Sequence, residues 1–479
     1  MKKRMTYDVE ETPPIAKWII LAFQHVFAMF GATVLVPILV NAAAGAEVLT
    51  IPVALVASGI GTLIYILCTK GKSPVYLGSS FAFIAPIAAA YVKGGISGAM
   101  TGVMAVGLIY VIVATIIHFT GKNWLEKLLP PVVIGPMIMV IGLGLASSAI
   151  SNIGIAEGQV FEWQKAVVAL VSFLVTALVM TRAKGLWKVI PFLIAIISGY
   201  VLSACLGLVD FTNVVEAAWL QVPNFQIPFV HYDINFAALI TIAPIALVTM
   251  CEHIGDHTSL SNIIGRDLIQ DPGLDRTLLG DGLATFVAGA LGGPANTTYG
   301  ENTAVVGMTR NASVGVIALG AIFAIILGFL GKFTALVHTI PNPVLGGVSL
   351  LLYGFIAVNG LKVLIQNNTD FGVNKNVIVA SAMLVLGLGG AAFSIKTGNG
   401  MAVQISGMSL AAIVGILLNL FISDEEDELA TEGPKVTKNE IADIKKAIKD
   451  ELTVELKGEL LDEIRKEIIK EKKTTKKKV

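Results

Sequence analysis

The sequence predicts an all-α polytopic membrane protein with fourteen transmembrane segments, arranged as two inverted repeats of seven. Three observations carry that prediction. Of 479 residues, 55% are hydrophobic and only 14% charged, with mean hydropathy +0.78, more apolar surface than a water-soluble domain of this size can hide. Apolar runs of about 20 residues recur along the chain, the length that spans a bilayer core. Finally, small groups of residues in the first half return, similarly spaced, in the second.

Residues 1–14 read as a polar cytoplasmic N-terminus. Met1-Lys2-Lys3-Arg4 leads into polar residues, and the next apolar run is too long for a signal h-region, so no cleavable signal peptide is expected. Residues 15–210 form the first repeat, with runs at Trp18–Val40, Gly98–Phe119, Val167–Met180 and Phe192–Val209. Residues 235–422 form the second, with runs at Phe236–Met250 and Val314–Leu330. Counting two short broken segments gives fourteen crossings. With the N-terminus inside, 16 of the 20 Lys and Arg before residue 423 fall on inward connections. Only Lys93, Lys165, Lys332 and Lys396 face outward, and the positive-inside rule then selects a protein of the cell's cytoplasmic membrane with both termini cytoplasmic. Cys68, Cys205 and Cys251 sit in apolar segments and read as small core residues, with no disulfide or metal framework.

The internal echo fixes the repeat. Gln24-His25-Val26 returns as Glu252-His253-Ile254, Gly78-Ser79-Ser80-Phe81 in character as Thr298-Tyr299-Gly300-Glu301, and Pro131, Gly135 and Gly142 as Pro343, Gly347 and Gly354. Seven is odd, so the halves enter the membrane from opposite sides, a common plan of secondary transporters. Short Gly- and Pro-interrupted segments at matching places point to a binding site near the midplane, because irregular backbone at membrane depth must line a cavity or be buried in protein. The stretch TTYGENT (297–303) therefore reads as an extended strand running into a half-helix, with LGSSFAF (77–83) as its counterpart.

Four acids fall at membrane depth: Glu252, Asp256, Asp281 and Glu301. A charge there is costly and usually functional. Glu252 and Asp256 are one helical turn apart and share a face; His253 and His257 share the neighbouring one. Glu301 opens a half-helix, where free N–H groups and the macrodipole favour an anion. Asp281 is expected near the cytoplasmic end of its span, in a structural role, and His25 and His253 as packing residues. Ser79 and Ser80 expose backbone at Phe81. Carboxylates accept hydrogen bonds and helix starts donate them, so a small planar ring with alternating N–H and C=O groups fits, a pyrimidine or purine base. An anion fits less well, since no Lys or Arg accompanies the acids. No P-loop is present, so direct ATP drive is not expected, and no HExxH order supports a metal site at 252–257.

QHVFAMFGATVLVP, YLGSSFAFIAP, EHIGDH, NTTYGENTAVVGMTR and PNPVLGGVSLLLYG, in that order across residues 12–422, resemble the nucleobase–ascorbate transporter family. The resemblance implies a core domain (segments 1–4 and 8–11), a gate domain (5–7 and 12–14) that also mediates homodimerisation, and short antiparallel strands in segments 3 and 10. It implies proton-coupled uptake of uracil by alternating access; xanthine or urate on the same scaffold is the alternative, and a metal-binding membrane protein the remote one. Carried over by motif position, Glu252 and Glu301 bind the ring's edges, the N–H groups of Phe81 and Gly300 donate to its oxygens, and Ala32 packs on it. Tyr299, Ser349 and Tyr353 line the cavity; Glu252, Asp256 and Glu301 couple the proton. No cofactor, metal or nucleic-acid partner is expected; the partners are uracil, protons and the lipid bilayer. Two positions depart from the family pattern. Asp256 stands where a histidine is common, so repulsion between neighbouring carboxylates favours their sharing a proton and alters the pH profile. Ala304 stands where glycine is usual.

The remaining residues, 423–479, hold 14 of the 34 cations and 16 of the 34 acids. Ile441, Ile444, Ile448, Leu452, Leu456, Leu460, Ile464 and Ile468 recur at helical spacing, which reads as an amphipathic cytoplasmic helix ending in the basic KKTTKKKV.

Overall fold

A computed structural model describes residues 5–184, 187, 190–235, 242–243, 245–396 and 402–422. The tail at 423–479 and most of the start of the Phe236–Met250 run lie outside the described residues. Helices dominate, as the apolar runs require, because a helix satisfies every backbone group within its own segment. In chain order they are α1 (Ile15–Ala44), α2 (Ile51–Cys68), α3 (Ile84–Thr120), α4 (Asn123–Leu128), α5 (Pro131–Gly144), α6 (Ala146–Ile153), α7 (Trp163–Arg182), α8 (Pro191–Cys205) and α9 (Thr212–Glu216). They continue as α10 (Ile245–Ile264), α11 (Leu274–Ala290), α12 (Gly300–Thr309), α13 (Val314–Gly328), α14 (Gly331–His338), α15 (Asn342–Gln366), α16 (Asn374–Leu388) and α17 (Gly407–Phe421). Among the described residues, six helical stretches are long and apolar enough to cross a membrane, and α8, α13, α16 and α17 are shorter apolar helices. Proline opens α2, α5, α8 and α15 within the first turn, where its missing N–H costs no helix bond.

Small residues let the helices meet backbone to backbone. A Cβ on Gly107 of α3 would lie 2.4 Å from the Phe286 nitrogen and 2.5 Å from the Gly282 oxygen of α11. One on Gly142 of α5 would lie 2.4 Å from the Tyr353 oxygen of α15. Lipid is as apolar as leucine, so such close packing, rather than hydrophobicity, binds one span to the next.

Two strands interrupt the helices at the heart of the molecule. β1 (Leu77–Ser79) and β2 (Asn296–Thr298) pair antiparallel, Leu77 with Thr298, Gly78 with Thr297 and Ser79 with Asn296. A two-stranded ribbon has two open edges, which apolar surroundings cannot satisfy. Side chains from the flanking helices satisfy them. Ser58 and Thr62 of α2 donate to the Leu77 oxygen at 2.6 and 3.2 Å, and the Leu77 N–H donates to Thr62 Oγ1 at 3.0 Å. Thr285 of α11 donates to the Asn296 oxygen at 3.2 Å. The expectation of an extended stretch feeding a half-helix at 297–303 is met: β2 leads directly into α12.

A second antiparallel pair, β3 (Ala392–Lys396) with β4 (Ala402–Ser406), follows α16. It was not expected. Its signal is the period-two alternation in AFSIK and AVQIS, short beside the long apolar runs around it.

The N-terminal segment is also structured. Ala312 and Val314 donate backbone hydrogen bonds to the Tyr7 and Val9 oxygens at 2.9 and 3.0 Å, and Thr6 donates to the Arg310 oxygen at 2.7 Å. Val9 is buried with Leu260, Leu268 and Val306. Arg266 reaches Asp8 at 2.8 Å and Glu10 at 3.0 Å. The segment thus ties together the residues just after α10 and just after α12.

Candidate functional site

The strand pair sets the site. Each strand leads to a helix start: Phe81 begins a single 3-10 turn before α3, and Gly300 begins α12. The first N–H groups of a helix have no intrahelical acceptor, so both starts present donors to whatever lies between them. Glu301 is in the first turn of α12. Glu252 and Asp256 lie one turn apart on α10. All three carboxylates keep partial exposure among buried neighbours, and Glu252 lies within the electrostatic reach of Asp256, Glu301 and Asp281. The structure therefore groups Glu252, Asp256, Gly300 and Glu301.

Asp256 is anchored. Thr298 of β2 donates to its Oδ2 at 2.6 Å, and its other oxygen would stand 3.8 Å from a Cβ on Gly300. That links α10 to the strand that aims α12. Asn302 supplies a second anchor, one that the residue-level reading passed over. Buried in α12, it donates from Nδ2 to the His25 oxygen of α1 at 3.0 Å and to His25 Nδ1 at 3.1 Å. Asn302 follows Glu301 directly, and His25 stands in the repeated Gln-His-Val triplet, which was the available signal.

Tyr299 was expected to line the cavity. Its hydroxyl donates to the Ser79 oxygen at 3.0 Å and meets Thr33 Oγ1 at 3.0 Å, while its ring covers Gly78 so closely that a Cβ there would lie 2.4 Å from ring carbons. It is a strut between α1, β1 and β2, because a buried phenol takes the nearest acceptors. Ala32 lies next to Thr33 on α1 and is buried. On α15, Tyr353 meets Phe81 edge-on at 5.9 Å, and Ser349 lies one turn earlier. Neither hydroxyl makes a well-formed hydrogen bond, and both are buried.

The histidines of EHIGDH point elsewhere. His253 donates from Nδ1 to Asp281 Oδ2 at 2.8 Å, and His257 donates from Nδ1 to the His253 oxygen at 2.7 Å. His257 Nε2 therefore accepts from the Tyr65 hydroxyl, which also meets Ser73. Glu252 and Asp256 lie on a different face of α10 from the two histidines. Asp281 corrects an expectation: it lies midway along α11, fully packed, rather than at a helix end, because His253 supplies the partner that makes burial there tolerable.

Carboxylates, two helix starts and unspent hydroxyls meet inside a bundle of apolar helices, and the family match makes that bundle a membrane permease rather than an enzyme. The chain belongs to the permease family, whose model, described as Permease family, matches residues 16–396. It is 48% identical to the uracil permease of Bacillus caldolyticus over 417 residues, covering 87% of this chain and 94% of that one. It is 45% identical to the uracil permease of Bacillus subtilis (strain 168) over 435 residues, 90% and 98% of the two chains. Among solved structures it resembles murine Solute Carrier 26 family member A9, an anion transporter in the inward-facing state, with TM-score 0.62 at 11% identity over 86% of this chain and 68% of that one. At that identity the likeness speaks for the fold alone.

Proposed function

We propose that the protein imports uracil across the cytoplasmic membrane by proton symport and alternating access. One observation carries the reading: the β1–β2 pair brings two N–H-bearing helix starts and the Glu252–Asp256–Glu301 acids to one region, with no Lys or Arg beside them among the described residues. A ring with N–H and C=O groups satisfies both kinds of partner; an anion does not. The relatives named uracil permease support the choice of ring. In this reading Glu252 and Glu301 accept from the ring N–H groups, Phe81 and Gly300 donate to its oxygens, and Ala32 packs on its face. Ser349 and Tyr353 line the cavity from α15, and Tyr299 lines it at the end of β2, where it also braces the strands. Glu252, Asp256 and Glu301 carry the coupled proton. A loaded site buries less net charge, so it crosses the apolar barrier at lower desolvation cost.

The same proposal includes fourteen spans in two inverted halves (15–210 and 235–422), both termini cytoplasmic, with a core domain, a gate domain and a homodimer formed through the gate. The test is uptake of radiolabelled uracil into proteoliposomes, with and without an inward proton gradient. Gradient-driven uptake, blocked by unlabelled uracil but not xanthine, and lost in Glu252→Gln and Glu301→Gln, is expected. Displacement by xanthine would instead make the protein a purine permease, with Ala304 and Asp256 the first positions to examine.

A further inference from the structure

A cleft of about 400 Å³ opens at the start of α2, beside the connections before α2 and after α9 and against α14. This is the end of α2 opposite Lys72 and the Asp8–Arg266 contacts. Its polar wall includes Glu47, Thr50, Asn213, Gln221, Thr334 and His338. Two of these hydroxyls decline their ordinary local partners. Thr50 is the N-cap residue of α2, where a threonine hydroxyl usually accepts from the first free N–H groups. It makes no such bond, and its buried Oγ1 has no partner. Thr334 lies inside α14, where threonine usually returns its O–H to the carbonyl one turn back. Thr115, Thr176, Thr258 and Thr309 all do so. Thr334 does not, although it is only 8% exposed and its Oγ1 is buried. Buried polar atoms nearly always find a partner, and both of these hydroxyls belong to residues that line one cleft.

The charge pattern narrows what that partner is. Among the lining residues Glu47 is the only acid, and no lysine or arginine is present. Lys332, two residues before Thr334, is committed to the Val214 and Val215 oxygens at 2.8 and 2.7 Å. An anion is repelled, while the amides, hydroxyls and carboxylate accept N–H groups and donate to C=O groups. Pro52 and Pro223 add flat apolar wall. Two aromatic rings stand between the cleft and the central site. Phe333, beside Thr334, packs on Phe30 at 5.4 Å, and Phe30 lies two residues before Ala32.

We infer that this cleft is a second, outer binding station for a neutral ring bearing N–H and C=O groups, occupied before the ring moves past Phe30 and Phe333. The inference rests on the uracil reading above. It is tested by equilibrium dialysis of radiolabelled uracil against purified full-length protein in lipid nanodiscs, paired with uptake kinetics. Wild type is expected to bind two uracils per chain. Glu252→Gln removes one class and leaves the other. Thr334→Val and Glu47→Gln, which preserve shape, weaken the remaining class and raise the KM for uptake, each about five-fold, the worth of one hydrogen bond. Unchanged elution and melting of these variants show that they fold. A single uracil per chain, lost in Glu252→Gln, with Thr334→Val and Glu47→Gln indifferent in KM, overturns the outer station and leaves the transport reading intact. No uracil bound to wild type at all overturns both.

Discussion

At Tyr299 and Tyr353 the same side chain does two jobs. Tyr299 Oη joins Ser79 and Thr33, so Tyr299→Phe leaves a buried carbonyl and a buried hydroxyl with one partner fewer, at a cost of about 1–3 kcal/mol. Tyr353 Oη makes no well-formed bond. Tyr353→Phe is therefore expected to melt within about 1 kcal/mol of wild type, yet to bind uracil about five-fold more weakly. Thermal unfolding in detergent and dialysis of both variants separate the roles; equal melting losses would place Tyr353 with the struts. Asp256 offers a second residue-scale contrast. Asn at this position keeps an oxygen to accept from Thr298 but cannot titrate. Asp256→Asn is expected to hold the fold and shift the pH profile of uptake. An unchanged profile would remove Asp256 from proton coupling.

At the scale of the element, the ribbon of β1 and β2 is the part that tolerates least. Gly78 has no room for a methyl group beneath the Tyr299 ring, whose hydroxyl is held by Ser79 and Thr33. Gly78→Ala must push the strands apart or swing Tyr299 out, and is expected to abolish uptake while Gly144→Ala, at the end of α5 with open space around it, retains it. Uptake by Gly78→Ala at wild-type rates would mean that strand spacing does not control the site. How far the sequence foretold these elements follows from the same physics. The apolar runs and the strand-to-helix switch at TTYGENT were legible because period and polarity change abruptly there. So were Glu252 and Glu301, since an acid in an apolar run is conspicuous. The pairing of Asn302 with His25 and of Asp281 with His253 was not, because each joins residues distant in sequence and only packing chooses among several possible partners. The β3–β4 hairpin was lost among stronger apolar signals, as five alternating residues weigh little in a span-sized window.

For the molecule as a whole, the N-terminal segment is a contact open to solution conditions. Its backbone bonds to Ala312 and Val314 and the buried Val9 are insensitive to salt, whereas Arg266 with Asp8 and Glu10 is exposed and screened. The hydrogen bond and charge of Arg266 hold the Glu10 carboxyl below the usual glutamate range. The folded state thus favours the ionised form, and this small contribution is present near neutrality and lost as pH falls through that lowered range. Hydrogen exchange of residues 6–9 is expected to quicken modestly in Arg266→Gln and in high salt, and to quicken little more in the variant when salt is added; identical exchange in all four conditions would show that the ion pairs do not hold the segment. The ribbon, finally, has a consequence in time. Its strands are roughly 220 residues apart. At about 5–20 residues per second, β1 leaves the ribosome some 10–40 seconds before its mate exists. Through that interval a nascent chain already seated in the bilayer carries an unpaired edge, open to the insertion machinery, to chaperones and to proteases that survey unfinished membrane proteins. The centre of the carrier can close only once the second half of the chain has begun to emerge.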